Sequence, residues 1–310
     1  MSGLPETDLM RVLVVGANSY IGDSFARYAA GRLHVDTVDS YAKWKATPFH
    51  EYDSVLIVAG LAHQKWNRKQ QEANKDKYFA INHDLAVAIA EKANADGAGQ
   101  VIYLSSMAVF GRVEGAITVD TKATPRKTDY YGQSKYKAEE SLTLMLKVTQ
   151  APPPSLEGGG YRPGVACLCI IRPPMVYGPG CPGKFAALVK VAKKLPVIPK
   201  VNNRRSMIYI DNLSEFICLA VEQRIAGIFH PHNKDYMNTT WLINSIANTV
   251  GKRRLIMPGL GLAVRCMKPF STAIKTAFGS LYYDEDIVAM PFEEDYQLVS
   301  ATESVERSTL

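Results

Sequence analysis

Tyr131 and Lys135 stand four residues apart in the run Tyr131-Gly-Gln-Ser-Lys135. On a helix this spacing puts a phenol and an ammonium on one face. A nearby ammonium favours the phenolate and lowers the tyrosine pKa toward a value useful for moving protons. Tyr130 and Tyr136 lack such a partner, having Ser134 and Glu140 four residues on. The same spacing also describes an ordinary surface pair, so it gains meaning from its company. Ser105 and Ser106 directly follow the apolar run Val101 to Leu104. A hydroxyl at the carboxyl end of a strand can bond a reacting oxygen, or simply satisfy a turn.

A second kind of chemistry is written near the start. The β-branched run Arg11 to Val15 leads into Gly16-Ala-Asn-Ser-Tyr-Ile-Gly22. Gly16 lets the chain turn sharply off a strand, and Gly22 lets the following helix pack closely on it. The N-terminus of that helix offers N–H donors and positive dipole to a pyrophosphate. Ser19 stands where a middle glycine belongs; its hydroxyl can bond phosphate, while its Cβ crowds the approach. Asp39 lies 17 residues after Gly22, at the end of the next strand. A carboxylate there accepts both ribose hydroxyls of NAD and repels a 2′-phosphate. No Lys or Arg follows it until Lys43, which favours NAD over NADP. Asp36 is a rival that alternation places inside the strand.

The elements that must position these groups alternate. Strands are read at 11–15, 33–38, 54–58, 101–104 and 165–171, and helices at 20–30, 77–94 and 130–148. Near-continuous apolar strands alternating with helices predict a parallel sheet covered on both faces. Right-handed crossovers make it a doubly wound α/β (Rossmann) sheet. The Pro- and Gly-rich stretch 151–164 reads as a surface loop. After Arg172 the alternation breaks into short helices, turns and small strands, which suggests a smaller C-terminal lobe over the carboxyl edge of the sheet. The division is residues 1–171, mainly dinucleotide-binding, and 172–310, mainly substrate-binding, with some segments returning to the sheet.

The 310 residues carry 36 basic and 30 acidic side chains, a net charge of +6. An apolar share of 47% supports a sizeable core and excludes a disordered chain. Residues 158–210 hold nine Lys or Arg and no acid, whereas 284–310 hold eight carboxylates and one Arg. The first stretch suits an anionic ligand or a solvated basic face. The basic residues lack interleaved aromatics, so nucleic acid is not an expected partner. The five cysteines have no zinc-type spacing, and no metal site is expected. Cys167 and Cys169 read as buried strand thiols, which fits a reducing, cytoplasmic setting. Met1 to Leu9 lacks the apolar core of a signal peptide. Leu255 to Leu281 is apolar but interrupted by Pro258, Arg265, Lys268, Pro269 and Lys275, so no integral membrane segment is read. A packed helix with charged flanks is the favoured reading there, with a basic amphipathic segment on a membrane surface as the alternative.

Together these residues resemble the extended short-chain dehydrogenase/reductases, the NAD-dependent epimerase/dehydratase family acting on nucleotide sugars. The resemblance runs from about Arg11 to Leu219. It includes Tyr20-Ile-Gly22, Asp53-Ser-Val-Leu-Ile-Val-Ala-Gly60, Asn82, Ser105-Ser106, Val109-Phe-Gly111, Tyr131 with Lys135, Arg172-Pro-Pro-Met-Val-Tyr-Gly-Pro-Gly180 and Arg204-Arg-Ser-Met-Ile-Tyr-Ile-Asp-Asn-Leu213. It implies Tyr131 as general base and acid on a sugar hydroxyl, Lys135 on the nicotinamide ribose, and Ser106 polarising the reacting oxygen. It implies Gly16, Ser19, Tyr20, Ile21, Gly22, Asp39, Ala59 and Gly60 around the cofactor, with Tyr131 and Lys135. Ser106, Met175 and Arg205 would face the sugar nucleotide, Arg205 at its diphosphate. Asn82 would support the sheet or relay protons, and Asp53 would contact adenine or cap a turn. Met175 replaces a common Asn and Phe110 a common Tyr. A homodimer through helices 77–94 and 130–148 is also implied.

Dehydratases of this family carry Asp-Glu after the active-site Thr. Here Met107 and Ala108 follow Ser106 and cannot transfer protons, which leaves chemistry at one carbon. The segments around Arg172 and Arg205 resemble a branch that makes amino sugars for bacterial surface polysaccharides. The leading expectation is a 4-epimerase of a UDP-hexosamine. The alternative is a 4-ketoreductase of a UDP-6-deoxy-4-keto-hexosamine. A dinucleotide-binding sensor or scaffold without catalysis stays open as a different class.

Overall fold

The computed structural model describes residues 9–62, 66, 68–146, 166–288 and 290–310. The first half runs β1 (Arg11–Val15), α1 (Tyr20–Tyr28), β2 (His34–Val38), α2 (Lys43–Ala46), β3 (Ser54–Ile57), α3 (Arg68–Ala73), α4 (Lys75–Phe79), α5 (Leu85–Asp96), β4 (Gln100–Leu104), β5 (Gly115–Ile117) and α6 (Tyr130–Met145). It continues with β6 (Cys167–Ile171), β7 (Met175–Tyr177), α7 (Lys184–Lys194), β8 (Val197–Pro199), β9 (Met207–Tyr209), α8 (Ile210–Glu222) and β10 (Gly227–Phe229). The rest is α9 (Thr239–Thr249), β11 (Leu255–Met257), α10 (Pro258–Met267), α11 (Thr272–Phe278), β12 (Leu281–Tyr283) and α12 (Ala301–Thr309). The stretch read as a loop at 151–164 lies outside the described residues.

Six parallel strands form the central sheet in the order β10-β6-β4-β3-β1-β2. The order reverses between β1 and β3, and α/β sheets bind ligands in the crevice that opens there at the strands' carboxyl ends. Alternate residues feed the two faces. Val12, Val14, Leu56, Ile102 and Ile171 pack with Phe25 of α1 and Phe216 of α8. Leu13, Val15, Val55, Ile57, Val101 and Tyr103 pack with Ile89 of α5 and Leu142 of α6. Burial on both faces is why these strands are continuously apolar. β10 joins the sheet from beyond residue 172, and α8 covers it beside α1. A separate cluster of Tyr177, Phe185, Tyr209, Ile246 and Val305 forms a core among the later elements.

Four sequence readings are changed or refined here. The helix read at 77–94 runs without a break from Lys75 to Asp96, but it carries a π-helical turn at Ala80–Asp84 between α4 and α5. Asp53 does not lie at the crevice. It sits just before β3, accepting from the Arg11 backbone N–H at 2.9 Å and pairing with Arg224 at 2.6 Å. It therefore ties strands together at the amino edge, and the adenine alternative falls. The segment after Leu255 is not a packed helix: β11 and much of α10 present large apolar side chains to solvent. Of the two strand thiols, Cys169 is buried and Cys167 partly exposed.

One buried ion pair clamps α6 to the sheet. Glu139 accepts from Arg172 Nε at 3.0 Å and Nη2 at 2.6 Å, and Ser105 donates its hydroxyl to the same carboxylate. The Arg172 guanidinium also lies 5.1 Å from the Phe110 ring centre. Removing one partner from such a pair strands a charge in a dry site, whereas replacing both with apolar groups is far less costly. Arg172→Ala should destabilise the fold by about 3–5 kcal/mol in urea unfolding. The Glu139→Leu/Arg172→Met double variant should recover most of that loss, and equal losses in both would contradict a stranded charge.

Candidate active site

The site assembles at the carboxyl ends of β1, β3 and β4. After β1, Gly16 takes φ +130°, and a Cβ there would come within 2.8 Å of the Ala59 nitrogen. Only glycine lets the two crevice loops touch. Both Gly16 N and Ala17 N donate to Val38 O, so the turn is also fastened to β2. Ser19 is the N-cap of α1, its hydroxyl accepting from Gly22 N at 3.1 Å. A Cβ on Gly22 would approach Ser19 Oγ at 2.7 Å and Val14 at 3.2 Å, so helix and strand are in close contact. The Tyr20 phenol points away, toward Gly178 and Ile210 of the later elements. Its ring thus joins the two parts, and its backbone N–H lies with that of Ile21 in the first turn of α1. Asp39 ends β2 and accepts from the backbone N–H groups of Ala42 and Tyr41, which hold its carboxyl below the usual range.

Ser106 follows β4 and caps the 3-10 turn Met107–Phe110, accepting from Ala108 N at 3.1 Å. Asp129 caps α6 by accepting from Gly132 N. Gly132 lets this helix end approach: a Cβ there would meet Ala108 O at 2.8 Å. The approach brings the half-buried Tyr131 phenol to Ser106. Burial pushes the phenol up to about 12, the hydrogen bond from Ser106 pulls it back, and the Asp129 carboxylate raises it further.

Lys135 is only 3% exposed. Its ammonium donates to Leu104 O at 2.8 Å and lies 4.7 Å from the Tyr103 ring centre. A Cβ on Gly60 would meet Lys135 Nζ at 3.2 Å and Asn82 Oδ1 at 3.3 Å, so a bare backbone borders the ammonium. Asn82 accepts from Leu61 N at 2.6 Å and donates to Ser134 at 2.9 Å. Tyr103 donates its hydroxyl to Asn82 O. The π-helical turn is what presents Asn82 between the β3 loop and α6, a use such turns often serve.

Met175 lies half-buried in β7, paired with Met207 of β9. Arg205 donates to Thr276 O and Gly279 O, and burial lowers its pKa. Lys184, opening α7, is lowered by burial and by Arg205, raised by Asp129 and lowered by Arg126, so three cations and one carboxylate gather there. Sequence reading missed Lys184, Tyr103, Ser134 and Glu139. Only Glu139 carried a local signal: it continues the Tyr131 to Lys135 spacing by one more step of four.

Burial pushes Lys135 down to about 7, and Glu139 pulls it partly back. Between pH 7 and the ordinary lysine range the unfolded chain therefore holds more protons than the folded one. This residue alone makes stability rise with pH across that window. The gap in unfolding free energy between wild type and Lys135→Met should move in favour of the wild type from pH 7.5 to 9, by about 1.4 kcal/mol per pH unit at most. A gap that does not change with pH would contradict the depressed ammonium.

Residues 12–230 match the model of the NAD dependent epimerase/dehydratase family. The chain is 25% identical over 300 residues to a UDP-glucose 4-epimerase of Vibrio cholerae, covering 93% of this chain and 82% of that protein. Its fold resembles UDP-glucuronic acid 4-epimerase from Bacillus cereus in complex with NAD, with a TM-score of 0.66, 17% identity and coverage of 97% of each chain. It also resembles dTDP-4-dehydrorhamnose reductase from Bacillus anthracis in complex with NADP, with a TM-score of 0.66, 18% identity and coverage of 96% of this chain and 98% of that one. The match across the whole sheet, joined to the glycine turn at the switch point and the Tyr131–Lys135 face beside Ser106, shows that this chain belongs to the NAD-dependent epimerase/dehydratase family.

Proposed function

We propose that the protein is an NAD-dependent 4-epimerase of a UDP-hexosamine. The observation that carries this reading is Tyr131 beside Ser106, with Lys135 held under the bare backbone of Gly60. The similarity to a UDP-glucose 4-epimerase over 93% of the chain supports chemistry at C4. The residues suit a dinucleotide. Gly16 leaves a cradle that a Cβ would fill, the α1 N-terminus offers donors to a diphosphate, and Asp39 is kept ionised for ribose hydroxyls. NAD, when bound, supplies a hydride acceptor that can return the hydride to either face of a ketone.

The side chains handle the proton. Tyr131 as phenolate takes the proton of the C4 hydroxyl while that carbon is oxidised, and as phenol gives it back. Ser106 holds the same oxygen and favours the phenolate, and Lys135 in its charged form lowers the cost of that anion. Arg205 and Lys184 provide positive charge for the substrate diphosphate, with Met175 lining the sugar side. Met107 and Ala108 supply no second acid or base, so elimination of water is not assigned. We place the dinucleotide mainly on residues 1–171 and the sugar nucleotide mainly on 172–310.

A second reading is a 4-ketoreductase of a UDP-6-deoxy-4-keto-hexosamine, which exchanges its cofactor each turnover. It is favoured by Ser19, whose side chain occupies the turn where a bare backbone would hold a diphosphate most closely. Denaturing the purified protein and assaying the supernatant separates the two. Near-stoichiometric NAD, together with interconversion of UDP-N-acetylglucosamine and its C4 epimer without added cofactor, is the predicted result. An empty protein that oxidises NADH only with a 4-keto sugar would establish the reductase instead. An empty protein that binds neither NADH nor NADPH would point to a scaffold. Tyr131→Phe should lower turnover by roughly 100- to 10,000-fold while NADH binding stays near wild type. Wild type should prefer NADH to NADPH by about tenfold or more, and Asp39→Ala should narrow that preference.

A further inference from the structure

Among the described residues, the densest run of exposed large apolar side chains is neither in the crevice nor on the helices read as a dimer interface. It is the projecting unit formed by β11, α10 and the 3-10 turn Lys268–Phe270. Leu255 is 61% exposed, Leu262 63%, Met267 57% and Phe270 90%. The unit is anchored on its inner side. β11 pairs with β8, and Gly261 lies so close to Lys200 O that any Cβ would clash. The large side chains therefore point outward from a held backbone. Several large apolar side chains exposed on one anchored unit mark an interaction site.

The charge of the unit says what covers it. From residue 236 to 283 the chain contains no Asp or Glu and six Lys or Arg. Lys268 is paired with Glu114, and Lys252 and Arg254 donate to carbonyl oxygens at the end of α7. Arg253 and Arg265 are exposed on this unit, and Lys194 is exposed at the end of α7, while Lys193 donates to Thr309 O. A second copy seated by two-fold symmetry would set cations against cations. An anionic surface meets apolar side chains and cations together. We propose that this unit docks the protein on an anionic lipid bilayer, with Leu262, Met267 and Phe270 entering the interface and Arg253 and Arg265 at the headgroups. The inference is independent of the reaction at the crevice, and its failure would leave that reaction untouched.

The test uses the full chain and sedimenting vesicles, either neutral phosphatidylcholine or phosphatidylcholine with about a third phosphatidylglycerol, since binding of this type needs anionic lipid. Binding to the anionic vesicles should be clear at low salt, weaken with added salt, and be slight on neutral ones. Arg253→Gln/Arg265→Gln should weaken it by about 30-fold, roughly fivefold per charge. Leu262→Asp/Phe270→Asp should abolish it. Both pairs are exposed, so circular dichroism and NADH binding should match wild type. Equal binding to both vesicle types, or no binding to either, would overturn the proposal. So would concentration-dependent self-association in sedimentation velocity that Leu262→Asp/Phe270→Asp removes, which would assign the face to a second copy.

Discussion

A primary ammonium buried to 3% exposure governs the architecture of this site. An ion taken from water must find its partners in the fold or give up its charge. Lys135 finds a strand-end carbonyl at Leu104, the face of Tyr103, and the field of Glu139 one turn along α6. Each partner constrains something else. Leu104 fixes α6 against β4, and Glu139 holds Arg172 of the next sheet strand's end and Ser105 next to Ser106. Tyr103 donates to Asn82, whose side chain ties the β3 loop to α6. The placement of Tyr131 beside Ser106 follows from this set of bonds together with the close approach at Gly132.

The two ends of the crevice solve different problems. At β1, Gly16 and the first turn of α1 leave backbone donors for the diphosphate of the proposed cofactor without any buried charge, while Ser19 caps Gly22 N. At β4 and α6 the chain must keep a cation and a phenol out of water. Burial depresses the ammonium to about 7 and raises the phenol to about 12, so in the protein alone the phenol keeps its proton at neutral pH. In the proposed reaction a bound dinucleotide would bring its ribose hydroxyls toward the ammonium. That environment favours the charged lysine, and a charged lysine in turn favours the phenolate. Cofactor binding and activation of the base are thereby one event in this account.

Much of this was legible from local signals. The turn from Gly16 to Gly22 reads directly, because glycine at positive φ and a helix cap are short-range needs. The places of Asp39 and Ser106 just beyond β2 and β4 are legible because strand ends are marked by the change from apolar to polar residues. The π-helical turn is not, since an apolar period runs through residues 79–90 and an inserted residue leaves no composition mark. The Arg172–Glu139 pair joins residues 33 apart, a pairing that only the sheet order brings about. Asp53 was misplaced because the same residue type serves at either edge of a sheet, and direction along β3 decides which. The apolar stretch after Leu255 reads as packed because composition states what a side chain prefers and not whether anything covers it.

The coupling of Lys135 to Tyr131 is best tested by ultraviolet titration of the phenol. The absorbance near 295 nm of wild type minus Tyr131→Phe isolates this tyrosine from the other fifteen. Without cofactor it should ionise near 12. With NAD bound it should ionise at about 9 or below, and in Lys135→Met it should stay high whether or not NAD is present. An unchanged titration on adding NAD, or the same fall in Lys135→Met, would contradict the account.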